Sequence, residues 1–196
     1  MLREKLKDHK IILASGSPRR HQFFKELDLP FTVDLRPVKE LYPEKLKGSE
    51  ITNYLAELKA EVFQKELKKN DILITSDTIV WHNNKALGKP ETPSEAYKML
   101  ESLSGSTHKV ITSVTFTTTR YQKTVHSTTA VTFKKLSNEE IDYYIKNYDP
   151  LDKAGAYGIQ EWIGLIGITR IEGSYFNVVG LPTHMVYKTL LELASP

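Results

Sequence analysis

The sequence predicts a mixed α/β protein. Short apolar runs such as Ile11-Ile12-Leu13 and Ile72-Leu73-Ile74 suit buried strands. Capping signals open amphipathic helices between such runs. A threonine-rich stretch from Lys109 to Lys135 has the residue types of paired strands.

Ile11-Ile12-Leu13-Ala14 reads as a strand that stops at Ser15-Gly16-Ser17-Pro18. Ser17 is placed to cap the next helix, with Pro18 in its first turn, and Phe23, Phe24 and Leu27 share one apolar face over about three turns. A second helix is expected over about Ser49 to Lys68, where Ile51, Leu55, Leu58, Val62 and Leu67 recur at helical spacing. Ile72-Leu73-Ile74-Thr75 is the next strand. It is expected to deliver Ser76-Asp77-Thr78 to its C-terminal end, where α/β sheets tend to place their chemistry.

After a loop around Asn83-Asn84, Thr92-Pro93-Ser94-Glu95 combines a capping threonine, a first-turn proline and a capping-box glutamate. The helix it opens should end near Gly105. Val110, Ile111, Val114 and Phe116, then Val125, Val131 and Phe133, predict two strands about a polar turn near Tyr121-Gln122-Lys123. Ser137 with Glu140 forms a further capping box for a helix to about Asn147. Ile163 to Ile171 reads as a strand and Thr183 to Leu193 as a closing helix. With no repeat or linker-like stretch, residues 1–196 are read as a single domain, and the turn-rich segment Arg36 to Gly48 as a functional loop.

Composition narrows the chemistry. A chain of 196 residues buries roughly 70% of its unfolded surface and needs no staples. The absence of cysteine excludes disulfide frameworks, thiolate nucleophiles, zinc fingers and iron–sulfur clusters, so any metal must be held by oxygen or imidazole. The histidines show no metal spacing, and neither G-x-S-x-G, GxGxxG nor a P-loop is present. A net charge of +3 does not mark a nucleic-acid binder, a reading that would rest on Arg19-Arg20 and Lys134-Lys135, so no nucleic-acid partner is expected. Lys5, Lys7, Asp8 and Lys10 interrupt the N-terminal segment, and no run approaches about 18 apolar residues. No membrane partner and a reducing, cytoplasmic location are the expectation.

Charge meets glycine and proline punctuation at Ser15-Gly16-Ser17-Pro18-Arg19-Arg20, Asp77-Thr78, Gly88-Lys89-Pro90, and the segment Asp152 to Gln160. A helix N-terminus offers free N–H groups and a positive dipole end, and two arginines there add forked donors suited to phosphate. Arginine in a first turn opposes the dipole, which leaves two readings: a solvated turn, or a bound anion. Asp77, at the end of an apolar strand, is there for a metal ion, for capping or for proton transfer. Glu40 is a second carboxylate on the Arg36 to Gly48 loop, and Lys59 and Lys89 are single lysines that read as solvated when taken alone.

The blocks Leu13-Ala14-Ser15-Gly16-Ser17-Pro18-Arg19-Arg20, Ser76-Asp77-Thr78-Ile79-Val80, Leu87-Gly88-Lys89-Pro90, Leu103-Ser104-Gly105 with His108, Asp152 to Gln160, and Gly173-Ser174-Tyr175 followed by Asn177 to Pro182 resemble the Maf family of nucleoside triphosphate pyrophosphatases. They occur in the family's order over about residues 11 to 182. The resemblance implies a fold like that of the Maf and inosine triphosphate pyrophosphatase superfamily, an elongated mixed sheet flanked by helices with a cleft between two lobes. It implies hydrolysis of a nucleoside triphosphate to the monophosphate and pyrophosphate with Mg²⁺ or Mn²⁺. Asp77-Thr78 and Ile159-Gln160 are similar to the branch acting on dTTP and UTP, which makes these nucleotides, with modified pyrimidine nucleotides beside them, the expected substrates, whereas the branch acting on 7-methyl-GTP has Asp-Gln at the first position.

By matching position, Asp77 would accept the proton of the attacking water and, with Glu40, hold the metal. Lys59 and Lys89 would be catalytic. Arg19, Thr78 and Gln160 match the positions that set base specificity, and Ser15, Ser17, Arg20 and Lys153 would bind phosphates. A homodimer is implied by the resemblance alone. The alternative is a nucleotide-binding regulatory protein affecting septum formation in cell division without turnover. One departure from the family pattern is Glu161-Trp162, which follows Gln160 where relatives usually have glycine.

Overall fold

In a computed structural model, which describes residues 1–194, the chain divides into two compact units. The first comprises Met1–Asp77, Thr112–Ser127 and the chain from Gly180 onward; the second comprises Thr78–Ile111 and Thr128–Val179.

The first unit begins with a short helix α1 (Leu2–Lys5) that the sequence did not announce. Strand β1 (Lys10–Leu13) pairs in parallel with β2 (Phe31–Val33) and with β3 (Asp71–His82), Ile12 lying opposite Thr32 and Leu73. Ile11, Ile12 and Leu13 are all buried, which is the continuous apolar pattern a parallel strand covered on both faces requires. Between these strands run α2 (Pro18–Glu26) and α3 (Ser49–Glu61). Ile12, Ala60, Phe63 and Leu73 form one core cluster here. Helix α3 stops before the expected Lys68 because Arg36 takes the Val62 carbonyl and the chain turns through a 3₁₀ segment, Gln64–Glu66.

In the second unit β3 continues past Asp77 and turns back at Asn83-Asn84, both in the left-handed region at φ 48° and 59°, into the antiparallel strand β4 (Lys85–Leu87). Two left-handed residues make the turn whose twist matches a hairpin. Asp77 therefore lies inside a twelve-residue strand, not at its end, because Val80, Trp81 and His82 keep pairing until the hairpin. Helix α4 (Pro93–Leu103) is capped by Thr92, which accepts from the Glu95 N–H at 3.2 Å. The Glu95 carboxylate reaches the N–H of Glu91, one residue beyond the box. Strands β5 (Thr107–Thr117) and β6 (Gln122–Phe133) follow, of which Thr112–Thr117 and Gln122–Ser127 belong to the first unit, then α5 (Asn138–Asn147), whose Ser137–Glu140 capping box is complete in both directions.

The expected strand over Ile163 to Ile171 is instead helix α6 (Trp162–Gly167) followed by β7 (Ile168–Glu172). A short apolar run does not distinguish the two by period. The glycines decide it: a Cβ at Gly164 would lie 1.8 Å from the Ile159 carbonyl oxygen, and one at Gly167 would lie 2.9 Å from the Phe133 ring. Helices α7 (Tyr175–Val179) and α8 (Thr183–Leu193) complete the chain. The sheet order is β2-β1-β3-β5-β6-β7, with β4 on β3, seven strands of mixed direction. Among the described residues no helix is long and apolar enough to cross a membrane.

Candidate active site

Two side chains of β3 two residues apart share a face, and here that face meets α3. Thr75 donates to the Ala56 carbonyl at 2.6 Å, fixing the helix against the strand. One helical turn on, Lys59 Nζ donates to Asp77 Oδ1 at 2.7 Å. The same ammonium lies 3.1 Å from Glu40 Oε1. Asp77 is 7% exposed, and burial is the leading influence on it, pushing its carboxyl up. Lys59 and Arg20 work against that rise, and Glu40 adds to it.

Glu40 reaches Lys59 from a loop without regular structure. Arg36 ties that loop down. It forms a forked pair with Glu66 at 2.9 and 2.8 Å, donates to the Val62 carbonyl at 2.8 Å and lies 4.1 Å above the Phe63 ring. Sequence reading passed over this arginine, since its partners lie some thirty residues away.

The Ser15 to Arg20 loop closes on itself. Ser15 Oγ accepts from the Ser17 N–H and from Arg20 Nη1, both at 3.3 Å, and the Ser15 carbonyl meets the ring of His21. Arg20 also donates to the carbonyls of Ser76, at 3.3 Å, and Gly180, at 2.9 Å. Burial lowers its pKa to about 10, which leaves it charged at neutral pH, and Asp77 favours that charge. Ser17 stands at the cap position of α2, yet its side chain makes no capping bond. Ser15, Arg20, Lys59, Asp77 and Glu40 thus form one linked group, with Ser17 and the half-buried Arg19 on the same loop.

The other candidates belong to the second unit. Thr78 is half-buried on β3, and Lys89 and Gln160 are exposed. Gly155 donates its N–H to the Gly88 carbonyl at 2.9 Å, joining the loop that carries Lys89 to the segment that carries Lys153. Lys153 is 6% exposed and engaged in its own segment: it donates to the Asp149 carbonyl and to Asp152 Oδ1, and lies 3.1 Å from Glu161 Oε1. Tyr144, fully buried on α5, donates to Glu161 and accepts from the Gly158 N–H. Its hydroxyl pKa is raised, chiefly by burial, so it acts as a donor.

The family of Maf-like proteins matches residues 10–193. The chain belongs to the Maf family. This Maf chain is 62% identical to the dTTP/UTP pyrophosphatase of Flavobacterium johnsoniae, over 98% of its own length and 100% of that protein. It is also 62% identical to the dTTP/UTP pyrophosphatase of Christiangramia forsetii, covering 100% of each. Among solved structures, the Staphylococcus aureus Ham1 protein shares the fold, at TM-score 0.52 and 17% identity over 92% of this chain and 99% of the other. The Ile-Gln-Glu-Trp sequence beginning at Ile159 was the visible signal for Glu161, whereas Tyr144 had none, being one of ten tyrosines.

Proposed function

We propose that this Maf protein is a dTTP/UTP pyrophosphatase, releasing pyrophosphate and the nucleoside monophosphate. The observation that carries the reading is a buried carboxylate, Asp77, held in hydrogen-bond reach of Lys59 and facing a second carboxylate, Glu40, in a chain whose close relatives bear that name. Hydrolysis of a phosphoanhydride asks mainly for positioned water and cations around the charge that develops on phosphate.

Asp77 is the base that takes the water's proton, and Lys59 and Arg20 oppose the upward push of burial on its carboxyl. Lys89 is assigned to the catalytic group, and Ser15, Ser17 and Arg20 to the phosphates, with Arg20 setting the loop's geometry; Lys153, engaged by Asp149, Asp152 and Glu161, serves the substrate through the segment it holds. Arg19, Thr78 and Gln160 read the base.

The donor chemistry fits a hard divalent cation. Among the described residues no three His, Asp or Glu side chains gather as a closed metal site. Glu40 and Asp77 offer two carboxylates around one cationic point, which suits Mg²⁺ or Mn²⁺ ligated otherwise by water and phosphate oxygens. When bound, such an ion supplies Lewis-acid neutralisation of phosphate charge.

The reading takes the whole chain as one functional domain, placed in the cytoplasm with its nucleotides, and allows a homodimer. Pyrophosphate release from dTTP and UTP, measured with Mn²⁺ or Mg²⁺ against EDTA, tests it. Turnover should require the ion and should vanish in Asp77→Asn while the protein stays folded. Full turnover in that variant overturns the role of Asp77. Tight nucleotide binding without turnover in the wild type would favour the regulatory alternative.

A further inference from the structure

Gly158-Ile159-Gln160-Glu161 is a tight turn closed by the Glu161 N–H on the Gly158 carbonyl at 3.0 Å. Ile159 points into the core at 7% exposure and Gln160 stands exposed at the third position. Both ends of this turn are attached to one phenol. The Gly158 N–H donates to Tyr144 Oη at 3.0 Å, and the same hydroxyl donates to the Glu161 carboxylate. Tyr144 cannot drift, since it is fully buried on α5 and stacks on Tyr148 with ring centres 5.2 Å apart. From the other side Lys153 holds the Glu161 carboxylate at 3.1 Å, its ammonium being held in turn by Asp152 and the Asp149 carbonyl.

The glycine at 158 belongs to the same device. A Cβ there would lie 2.7 Å from the Glu161 carboxyl carbon and would push the carboxylate out of its place over the turn. Glu161 occupies the cap position of α6, yet its side chain makes no capping bond. Its acidity is directed at Tyr144 and Lys153 instead.

We infer that Tyr144 and Glu161, braced by Lys153, are positioning residues for Gln160, and that their clamp sets how well the protein distinguishes thymine and uracil from other bases. The inference rests on the reading of Gln160 as a base-contacting residue. A side chain with three free torsions recognises a planar edge well only when its backbone is held, because an unheld turn must be ordered at the moment of binding. The clamp removes that cost beforehand.

The test is steady-state kinetics on dTTP, UTP and a panel of purine triphosphates for wild type, Tyr144→Phe, Glu161→Gln, Gln160→Ala and the double variant Tyr144→Phe with Gln160→Ala. Tyr144→Phe keeps the ring and removes both hydrogen bonds; Glu161→Gln keeps the shape and removes the charge opposite Lys153, and it serves alone if the first variant does not fold. Each should raise KM for dTTP about fivefold or more with kcat nearly unchanged, and should narrow the pyrimidine preference. In the Gln160→Ala background Tyr144→Phe should add nothing to KM, an outcome that mere stabilisation of the fold would not give. Amide exchange over residues 149–162 should speed up in both single variants. Wild-type KM and selectivity in Tyr144→Phe and Glu161→Gln, with Gln160→Ala altered, overturn the clamp and leave Gln160 in place. Unchanged selectivity in Gln160→Ala overturns the role of Gln160 and the clamp's function with it.

Discussion

Lys59 Nζ donates to Asp77 Oδ1 at 2.7 Å from a helix that Thr75 holds one turn away, so a strand and a helix distant in sequence present one buried ion pair. A carboxylate that is 7% exposed is costly when its cation is removed.

Replacing Lys59 with Met should therefore lower stability by about 3 kcal/mol and activity by at least about a hundredfold. In an Asp77→Asn background, where no buried charge is left behind, the same replacement should cost far less stability. Urea unfolding of the four proteins reads the difference. Equal losses in both backgrounds would remove the pair from the account.

Arg36 and Glu66 govern the loop that presents Glu40. Arg36→Ala should free residues 37–47, so that trypsin cleaves at Lys39, Lys45 or Lys47 faster than in wild type, while the melting temperature of the rest changes little. A loop cleaved at the wild-type rate would show that other contacts hold it.

Gly155 sits at φ +69°, and a Cβ there would lie 2.7 Å from Val80 Cγ2. Alanine must bear both the left-handed backbone and the clash with a β-branched core residue, and should destabilise by about 3 kcal/mol. The shift in the denaturant midpoint measures it.

His108 is 2% exposed, stacked on Phe133 and bonded to Tyr157, with no partner for Nδ1. Burial first, and His82 second, lower its pKa to about 4. Between about pH 6.5 and 4 the unfolded chain therefore binds a proton that the folded chain refuses, so stability falls as pH falls through that window. The loss amounts to about 3 kcal/mol at its end. His108→Gln, which does not titrate, should flatten that part of the profile relative to wild type in urea unfolding at pH 7, 6, 5 and 4.

Much of this Maf protein is local enough to read directly. The Ser137–Glu140 box, the capping Thr92 and the buried runs of β1 and β3 follow from residues within a few positions of one another. Motif order brought out Asp77, and the family resemblance Lys59 and Glu40; the three form two ion pairs about the Lys59 ammonium. The run from Ile163 was misread because its outcome depends on how near Gly164 comes to the Ile159 carbonyl, a distance no periodicity contains.

The absence of cysteine by itself excluded thiolate chemistry and the sequence of motifs by itself determined the family, since both depend on residue identity alone. Tertiary structure alone decided which groups are partners. Arg36 meets Glu66 thirty residues on, Tyr144 meets Glu161 seventeen residues on, and Lys153 is engaged by its own segment. Such pairings rest on where strands and helices bring side chains together, and the strength of each charge in them depends on burial, which is a property of the folded chain.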